Sequence, residues 1–329
     1  MSTPEKTPNL VDSQLRPSTW DEYIGQQLIK DNLHILLTAA EKRKQQPEHI
    51  LFYGPPGLGK TTLSHLIAKE TGRNIKITSG PAIEKVGDLA SILTNLTQGD
   101  ILFIDEIHRL NKNIEEVLYP AMESGVLDII IGKGPSARTI QLDLPDFTLI
   151  AATTKVAMMS APLRSRFSGG VFKLEFYTQN EIEQIIAQSA KKLEISINPQ
   201  AIAAIALRSR YTPRTANYFL KRCRDYAQVH GTDITIDSVL ASLELIGVDE
   251  LGLRQSDRDV LLVIIEKFNG GPVGVKTIAT ATHEEIDSVE SVIEPYLIQR
   301  GLLELSSRGR VATPAAYAHF GKESIERKN

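Results

Sequence analysis

Cysteine is almost absent from this sequence: Cys223 is the only one in 329 residues. A single thiol excludes an internal disulfide framework and is typical of proteins that work in a reducing cytosol. The first nine residues are polar and include Pro4 and Pro8, so they lack the apolar centre of a secretory signal peptide. We therefore expect a cytoplasmic protein.

Long apolar runs and a strong excess of one charge are also missing. No uninterrupted apolar stretch approaches the roughly 20 residues that a membrane-spanning helix needs, so no membrane contact is expected. The net charge is only −3, so binding to nucleic acid would need a local basic patch or several copies in an assembly. At roughly 100–200 residues per domain, the length predicts two or three domains.

The first half alternates buried strands with amphipathic helices, which is typical of a parallel α/β sheet. The expected helices are Ile29–Lys44, Lys60–Thr71 and Asp88–Leu96. The expected strands are His49–Tyr53, Asp100–Asp105, Phe147–Ala152 and a hairpin pair, Val126–Ile131 and Thr139–Leu144.

The second half begins with a purely helical pattern and ends with a mixed one. Its expected helices are Asn180–Leu193, Ala201–Arg210 and Thr215–His230. A capping-box pattern at Ser256 and Asp259 then opens three helices and a β-hairpin, the arrangement of a winged helix. We therefore expect an α/β fold with a P-loop sheet domain at 1–177, a small helical lid at 178–252 and a winged-helix domain at 253–329.

The segment Gly54–Thr61 fits the phosphate-loop pattern G-x-x-x-x-G-K-[ST] at every fixed position. Glycines let backbone N–H groups turn towards phosphate oxygens, and the following helix directs its positive end at the same anion. Lys60 is expected to reach the β- and γ-phosphates of ATP, and the Thr61 hydroxyl to ligate Mg²⁺. A strand before the loop and a helix after it are the context that the motif requires.

An apolar strand that ends in Asp105 and Glu106 is the expected partner of this loop. Asp105 would hold Mg²⁺ through water, and Glu106 would polarise the water that attacks the γ-phosphate. Thr154, at the end of the next strand, is expected to reach the γ-phosphate or that water. Either Arg164 or Arg166 could stabilise the γ-phosphate of a neighbouring subunit, provided that it lies at a subunit edge.

A wider set of segments extends the pattern beyond the phosphate loop. The segments are Leu15–Pro17, Tyr23–Gln26, Gly54–Thr62, Asp105–Leu110, Leu118–Glu123, Leu174–Tyr177, Thr212–Arg214, Gly270–Gly274 and Glu294–Gln299. Together they resemble the RuvB family, the bacterial AAA+ motors of Holliday-junction branch migration. The resemblance runs from about Leu15 to Gly321, and its winged-helix segments distinguish it from AAA+ proteins in general.

The resemblance implies a role for each matching residue. The adenine pocket would be lined by Leu15, Arg16, Tyr23 and Ile24. The phosphates would be bound by Gly57, Gly59, Lys60, Thr61 and Thr62, with Glu123 also at the nucleotide. From the lid, Tyr177 and Arg214 would contact the nucleotide. Arg166 would be the finger that is presented to the next subunit, and Arg310 in the wing would touch DNA, with Arg308 beside it.

The resemblance also implies partners: duplex DNA or a Holliday junction, six copies in a ring, and a RuvA-like junction-binding protein held by the hairpin 126–144. The sequence departs from the family at Lys155, at Ile286 and Leu305, where relatives carry basic residues, and at Phe167–Val171, which is one residue longer. The hairpin could instead pack on a neighbouring subunit. We expect His49 and His108 to be structural, since neither has other metal ligands at suitable spacing.

Two other functions remain open at this stage. An ATP-controlled DNA-binding switch, such as a replication initiator, can also join an AAA+ core to a winged helix. Such a switch would hydrolyse ATP once and stop, whereas a motor continues when DNA is present. A protein remodeller or clamp loader is a poorer fit, because neither an aromatic pore loop nor a helical collar is evident.

Overall fold

A computed structural model of the chain describes residues 14–131 and 138–323. The chain divides into two compact units. The first unit runs from Arg16 to Gly54 and from Leu58 to Glu175, and the second contains Leu15, Pro55–Gly57 and the chain from Phe176. No helix of the described residues is long and apolar enough to cross a membrane.

The first unit is built on a five-stranded parallel sheet. Its strands are β1 (Ile50–Tyr53), β2 (Ile75–Ser79), β3 (Ile101–Asp105), β6 (Thr148–Thr153) and β7 (Gly170–Lys173), in the spatial order β2-β3-β6-β1-β7. Its helices are α1 (Gln27–Lys42), α2 (Lys60–Glu70), α3 (Val86–Thr94), α4 (Lys112–Ser124) and α5 (Ala161–Ser165). All five strands run in parallel, so the segments that follow them emerge at one edge of the sheet.

The three inner strands confirm the expectation of a parallel α/β core. They are apolar and almost wholly buried, and every residue of β6 is buried. The two edge strands, β2 and β7, were not expected from the sequence. Both carry polar residues, such as Lys76 and Lys173, because an edge strand has one side open to solvent. Their apolar pattern is therefore too weak to separate them from loops.

The expected hairpin is present as β4 (Val126–Ile131) and β5 (Arg138–Asp143), which pair antiparallel. Helix α4 packs against β4, and Leu127 is fully buried. The glycine-rich tip lies outside the described residues. On β5, Ile140 and Leu142 are 43% and 37% exposed, so this face of the hairpin carries uncovered apolar side chains.

The second unit contains the helical lid and the winged helix. The lid helices are α6 (Gln179–Lys192), α7 (Pro199–Arg208), α8 (Pro213–His230) and α9 (Ile236–Leu245), of which α9 was not expected. The winged helix consists of α10 (Gln255–Leu262, continued by a π-helical turn Val263–Lys267), α11 (Val275–Thr282), α12 (Ile286–Ser288, Val289–Ile293 and Glu294–Gln299), β8 (Leu303–Ser306), β9 (Gly309–Ala312) and α13 (Pro314–His319).

The expected capping box at Ser256 and Asp259 is wrong. The N-cap of α10 is Arg254, two residues before Ser256, and the main-chain N–H of Arg254 donates to Asp257 Oδ2 over 2.8 Å. Asp257 is the third residue of the helix, and its buried carboxylate is stabilised there by the N–H of Arg254 as well as by Arg210. The first helical turn of the winged helix is therefore fixed by a residue whose main role is in the core.

A buried ion pair joins the lid to the winged helix. Arg210 Nη1 lies 2.6 Å from Asp257 Oδ2, and the two side chains are 8% and 0% exposed. The same guanidinium donates to the carbonyl of Val292 over 2.8 Å and lies 4.4 Å from the ring centre of Tyr296. Asp257 Oδ1 is buried without a hydrogen-bond partner among the described residues. Both hydrogen bonds to this carboxylate, from Arg210 and from the Arg254 N–H, therefore go to Oδ2.

We expect Arg210→Met to lower the free energy of unfolding by about 3–5 kcal/mol, because it leaves the Asp257 charge buried and unpaired. Urea unfolding followed by circular dichroism measures this change. Arg222→Met is the matched control: its pair with Asp225 is exposed, and its removal should cost about 0–1 kcal/mol.

The double variant Arg210→Met with Asp257→Leu should recover much of the missing stability, because an apolar pair replaces the ion pair without leaving a charge. Equal destabilisation by Arg210→Met and Arg222→Met would show that the buried pair does not hold the lid and the winged helix together.

Candidate active site

The phosphate loop follows β1 and leads directly into α2, as its motif requires. Lys60 is 7% exposed, and its Nζ donates to the carbonyl of Gly54 over 2.7 Å. Gly59 has a φ of +100°, and a Cβ at this position would lie 2.8 Å from the hydroxyl oxygen of Tyr23. Only glycine fits both the conformation and this approach, so Gly59 allows the tight turn into α2.

Part of the N-terminal arm packs on the loop. Tyr23 is buried, and its hydroxyl donates to the carbonyl of Leu58 over 3.4 Å. Burial lowers the pKa of Arg16, and burial together with the Arg16 charge lowers the pKa of His65 on α2. Arg16 and Tyr23 therefore lie beside the loop and its helix. Leu15 is buried but belongs to the second unit, and Ile24 is partly buried.

Asp105 and Glu106 lie at the carboxyl end of β3, at the edge of the sheet that also carries the phosphate loop. Asp105 Oδ1 accepts the main-chain N–H of Glu106 over 3.0 Å. The Thr154 hydroxyl donates to Glu106 Oε2 over 3.0 Å, and the Thr154 main-chain N–H lies 3.5 Å from the same oxygen. The structure thus brings Thr154 into contact with Glu106, next to Asp105, whereas the sequence predicted only that Thr154 would reach the γ-phosphate or the water.

The groups expected to bind Mg²⁺ are chemically suited to it. Thr61 stands in the first turn of α2, and α2 packs against β3, which ends at Asp105. A hydroxyl and a carboxylate are the hard oxygen ligands that Mg²⁺ takes, usually completed by water and substrate phosphates. When bound, the ion would neutralise charge on the phosphates.

His49 and His108 have different surroundings. His49 is structural, as expected: its Nδ1 accepts the N–H of Leu149 over 2.9 Å, so Nε2 carries the proton and donates to the carbonyl of Met122 over 3.0 Å. Burial lowers the pKa of His49. His108 instead has its Nδ1 2.8 Å from Thr153 Oγ1 and 3.2 Å from Glu106 Oε2. No pattern in the sequence indicates this contact with the candidate catalytic carboxylate.

Arg166, the expected finger, contacts another expected nucleotide ligand. Its Nη2 lies 2.8 Å from Glu123 Oε2, and its Nη1 donates to the carbonyl of Pro162 over 2.8 Å. The guanidinium lies 4.6 Å from the ring centre of Tyr119. The side chains of Arg166 and Glu123 are 26% and 64% exposed, so the pair is accessible from solvent.

The longer segment after Arg166 is only partly a loop. Gly169 donates its N–H to the carbonyl of His49 over 2.9 Å, and Gly170 begins β7, which pairs with β1. The second half of the longer segment Phe167–Val171 is therefore part of a strand. This strand ties the chain to the sheet within four residues of Arg166.

The lid residues expected to contact the nucleotide lie in the second unit. Tyr177 is buried, and its N–H donates to the carbonyl of Tyr211 over 3.1 Å. Arg214 stands in the first turn of α8 with an exposed side chain, and its N–H donates to the carbonyl of Gly57 over 3.4 Å. A lid residue and a phosphate-loop residue thus meet within this unit.

The two wing arginines have different surroundings. Arg308 is exposed at the turn between β8 and β9. Arg310 donates to both carboxylate oxygens of Glu294, over 2.7 and 3.1 Å, and lies 3.7 Å from Glu290. The hydrogen bonds that Arg310 donates to Glu294 raise the pKa of Arg310. Ile286 and Leu305 are 40% and 59% exposed, so these departures from the family pattern present apolar surface.

Three family models match consecutive parts of the chain. The Holliday junction DNA helicase RuvB P-loop domain matches residues 15–173, the RuvB AAA lid domain matches 177–249, and the RuvB C-terminal winged helix domain matches 250–321. The matched ranges follow one another in the order that the structure gives for the sheet, the lid and the winged helix.

Individual proteins are similar over nearly the whole chain. The Holliday junction branch migration complex subunit RuvB of Dehalococcoides mccartyi strain CBDB1 is 57% identical over 311 residues, which are 94% of this chain and 89% of that protein. The solved structure of the Thermotoga maritima RuvB Holliday junction branch migration motor is 45% identical, with a TM-score of 0.87 over 95% of this chain and all of that chain. A substitution variant of the Thermotoga protein has a TM-score of 0.88 at 45% identity, over 94% of this chain and 99% of that chain.

Proposed function

This chain belongs to the RuvB family, and we propose on that premise that it is an ATP-driven motor for branch migration of Holliday junctions. The observation that carries the proposal is the pair of carboxylates, Asp105 and Glu106, beside a complete phosphate loop in a chain that ends in a winged helix. The family match disfavours the alternative of a replication-initiator switch. A motor on chromosomal DNA works in the cytoplasm.

The reaction is attack of water on the γ-phosphate of ATP, in line with the departing ADP. Lys60 neutralises the β- and γ-phosphates, and Thr61 and Asp105 would hold Mg²⁺, which would neutralise further charge on the phosphates. Glu106 orients and polarises the water, and Thr154 fixes the Glu106 carboxylate through its 3.0 Å hydrogen bond. Because phosphoryl transfer needs little covalent assistance, these residues act by positioning and by charge neutralisation.

The remaining site residues are proposed to contact other parts of the ATP molecule. Leu15, Arg16, Tyr23 and Ile24 are proposed to bind the adenine, and Tyr177 is proposed to contact the nucleotide. Gly57, Gly59 and Thr62 are proposed to bind phosphates, and Arg214 to sense the γ-phosphate. We keep the proposed domains at 1–177, 178–252 and 253–329.

We expect Glu106→Gln to bind ATP normally but to lose nearly all turnover and all branch migration, because an amide polarises water far less than a carboxylate. The measurements are ATP binding, steady-state ATPase activity with duplex DNA, and conversion of a synthetic four-way junction in the presence of RuvA. Glu116→Gln is the control, since Glu116 is exposed on α4. Normal turnover in Glu106→Gln would reject the role of Glu106. A single turnover per subunit in the unaltered protein would instead favour the switch.

The assembly is proposed to be a hexameric ring in which Arg166 serves the ATP site of the next subunit. The contact of Arg166 with Glu123 supports this role, because both residues were expected at a nucleotide and the pair is solvent-accessible. A triphosphate offers the guanidinium a more highly charged partner than one exposed carboxylate.

Arg166→Ala and Lys60→Ala subunits should each be nearly inactive alone, and mixed rings should recover part of the ATPase activity. In a mixed ring, the intact ATP site of an Arg166→Ala subunit can meet the finger of a Lys60→Ala neighbour. ATPase activity over a range of mixing ratios measures the recovery, with subunit exchange verified by native mass spectrometry. Mixed rings that stay inactive at every ratio would exclude action between subunits.

The DNA contact is proposed to be made by the wing, and the RuvA contact by the hairpin 126–144. Exposed Ile140 and Leu142 on β5 support the hairpin as an apolar docking surface. Arg308 is exposed at the wing turn, where it can approach a phosphate backbone without burying an unpaired charge. Arg310 was expected to touch DNA, but its two hydrogen bonds to Glu294 favour a role in holding the wing to α12.

We expect Arg308→Gln to weaken duplex binding to a similar extent on unrelated sequences. It should also reduce the slope of log affinity against log salt concentration by about 0.9 for each DNA phosphate that is no longer neutralised, because fewer counterions are released. Binding isotherms at several salt concentrations measure both effects. Arg310→Gln should leave that slope nearly unchanged while lowering the melting temperature. A slope that falls only in Arg310→Gln would restore Arg310 as the phosphate ligand, and weakening confined to one sequence would indicate base recognition.

A further inference from the structure

The hydrogen bonds of Glu106 are unequally divided between its two carboxylate oxygens. Oε2 accepts the Thr154 hydroxyl at 3.0 Å, lies 3.5 Å from the Thr154 N–H and faces His108 Nδ1 at 3.2 Å. Within the described part of the chain, Oε1 makes no hydrogen bond. One oxygen is therefore anchored at the end of β6, and the other is left for a water molecule.

His108 is placed for this contact by a sharp turn. Glu106 has a φ of +49°, a left-handed conformation that costs a residue with a Cβ on the order of 1 kcal/mol, and a short 3₁₀ turn at Ile107–Arg109 follows it. Gly80 packs closely on this turn, since a Cβ at Gly80 would lie 2.4 Å from the Glu106 carbonyl oxygen. The turn brings the ring, two residues further along, back against the Glu106 carboxylate.

The ring of His108 is fixed by burial and by a contact with Thr153. The His108 side chain is 7% exposed, whereas that of Glu106 is 34% exposed. Nδ1 lies 2.8 Å from Thr153 Oγ1, which also accepts the N–H of Lys155 over 3.0 Å. A bare lone pair on Nδ1 would be repelled by the carboxylate, so Nδ1 carries the proton. Its N–H donates to Thr153 Oγ1, and its positive end attracts Glu106 Oε2 at 3.2 Å.

We propose that His108 is a positioning residue for ATP hydrolysis: its Nδ1–H, fixed by Thr153, holds Oε2 of Glu106 so that Oε1 faces the attacking water. The proposal rests on the proposed role of Glu106 and adds to it. Thr154 supplies a hydroxyl that can rotate and a main-chain N–H at 3.5 Å, whereas the His108 ring, whose Nδ1 is also held by Thr153, limits the carboxylate to one orientation. A small displacement of an orienting group is enough to slow a reaction that depends on positioning.

The test compares His108→Leu, which removes the donor, with His108→Asn, whose side-chain amide places an N–H near the position of Nδ1. We expect His108→Leu to lower kcat for ATP by about tenfold or more, with KM for ATP and the melting temperature nearly unchanged. His108→Asn should keep most of the turnover. His34→Leu, at an exposed histidine on α1, is the matched control and should behave as the unaltered protein.

A second comparison separates positioning from a general structural role. Single-turnover hydrolysis is measured for Glu106→Gln with and without His108→Leu. If His108 acts through Glu106, the second substitution slows hydrolysis no further. Additional slowing in this background, equal damage by Asn and Leu, or normal turnover in His108→Leu would each overturn the proposal. Normal turnover in Glu106→Gln would instead refute the proposed role of Glu106, so the two failures are distinguishable.

Discussion

The second unit depends on the buried pair of Arg210 and Asp257. Arg210 and Tyr211 both have positive φ values, +58° and +54°, in the turn that leads into α8. Two such residues in succession are strained, and they persist only where surrounding groups hold them. The guanidinium of Arg210 is held by Asp257, the Val292 carbonyl and the ring of Tyr296. A residue of the winged helix therefore stabilises the backbone that carries Arg214.

This arrangement has a consequence for a motor. Arg214 lies four residues after Arg210, and its N–H donates to the phosphate-loop residue Gly57. The lid turn that carries Arg214 and the winged helix are thus joined by a buried ion pair that would be costly to open. A change that moves this turn must therefore move the winged helix with it or break the pair. Rigid joining of the two domains is one way in which hydrolysis can displace DNA.

The sequence predicted the parts of the molecule that rest on strong local patterns. The buried strands β1, β3 and β6, the phosphate loop and the carboxylates Asp105 and Glu106 are placed as expected. The edge strands β2 and β7 were missed because their polar residues conceal the apolar pattern. The sequence pattern predicted that Asp259 would accept the hydrogen bond at the start of α10. Asp257 accepts it instead, from the Arg254 N–H, and also forms the buried ion pair with Arg210.

The candidate site also contains interactions that no sequence pattern encodes. The ring of His108 reaches Glu106 only because the chain turns back through a left-handed residue, and the spacing of two residues does not reveal this turn. Thr153 is the last residue of β6, and its contact with the ring depends on the register between β6 and β3. Sequence motifs locate the reacting groups, whereas tertiary packing decides which oxygen of a carboxylate is free.

Arg166 and Arg310 are both predicted to bind a phosphate, but their carboxylate partners differ in burial. Arg166 pairs with Glu123, whose side chain is 64% exposed, and an exposed pair is worth at most about 1 kcal/mol. Arg310 pairs with Glu294, whose side chain is 6% exposed, so its departure would leave a nearly buried carboxylate without a partner. Phosphate can displace the first carboxylate at little cost, because water solvates the released Glu123 side chain. The same exchange at Arg310 would have to overcome the desolvation of Glu294, so the structure favours exchange at Arg166 and a fixed pair at Arg310.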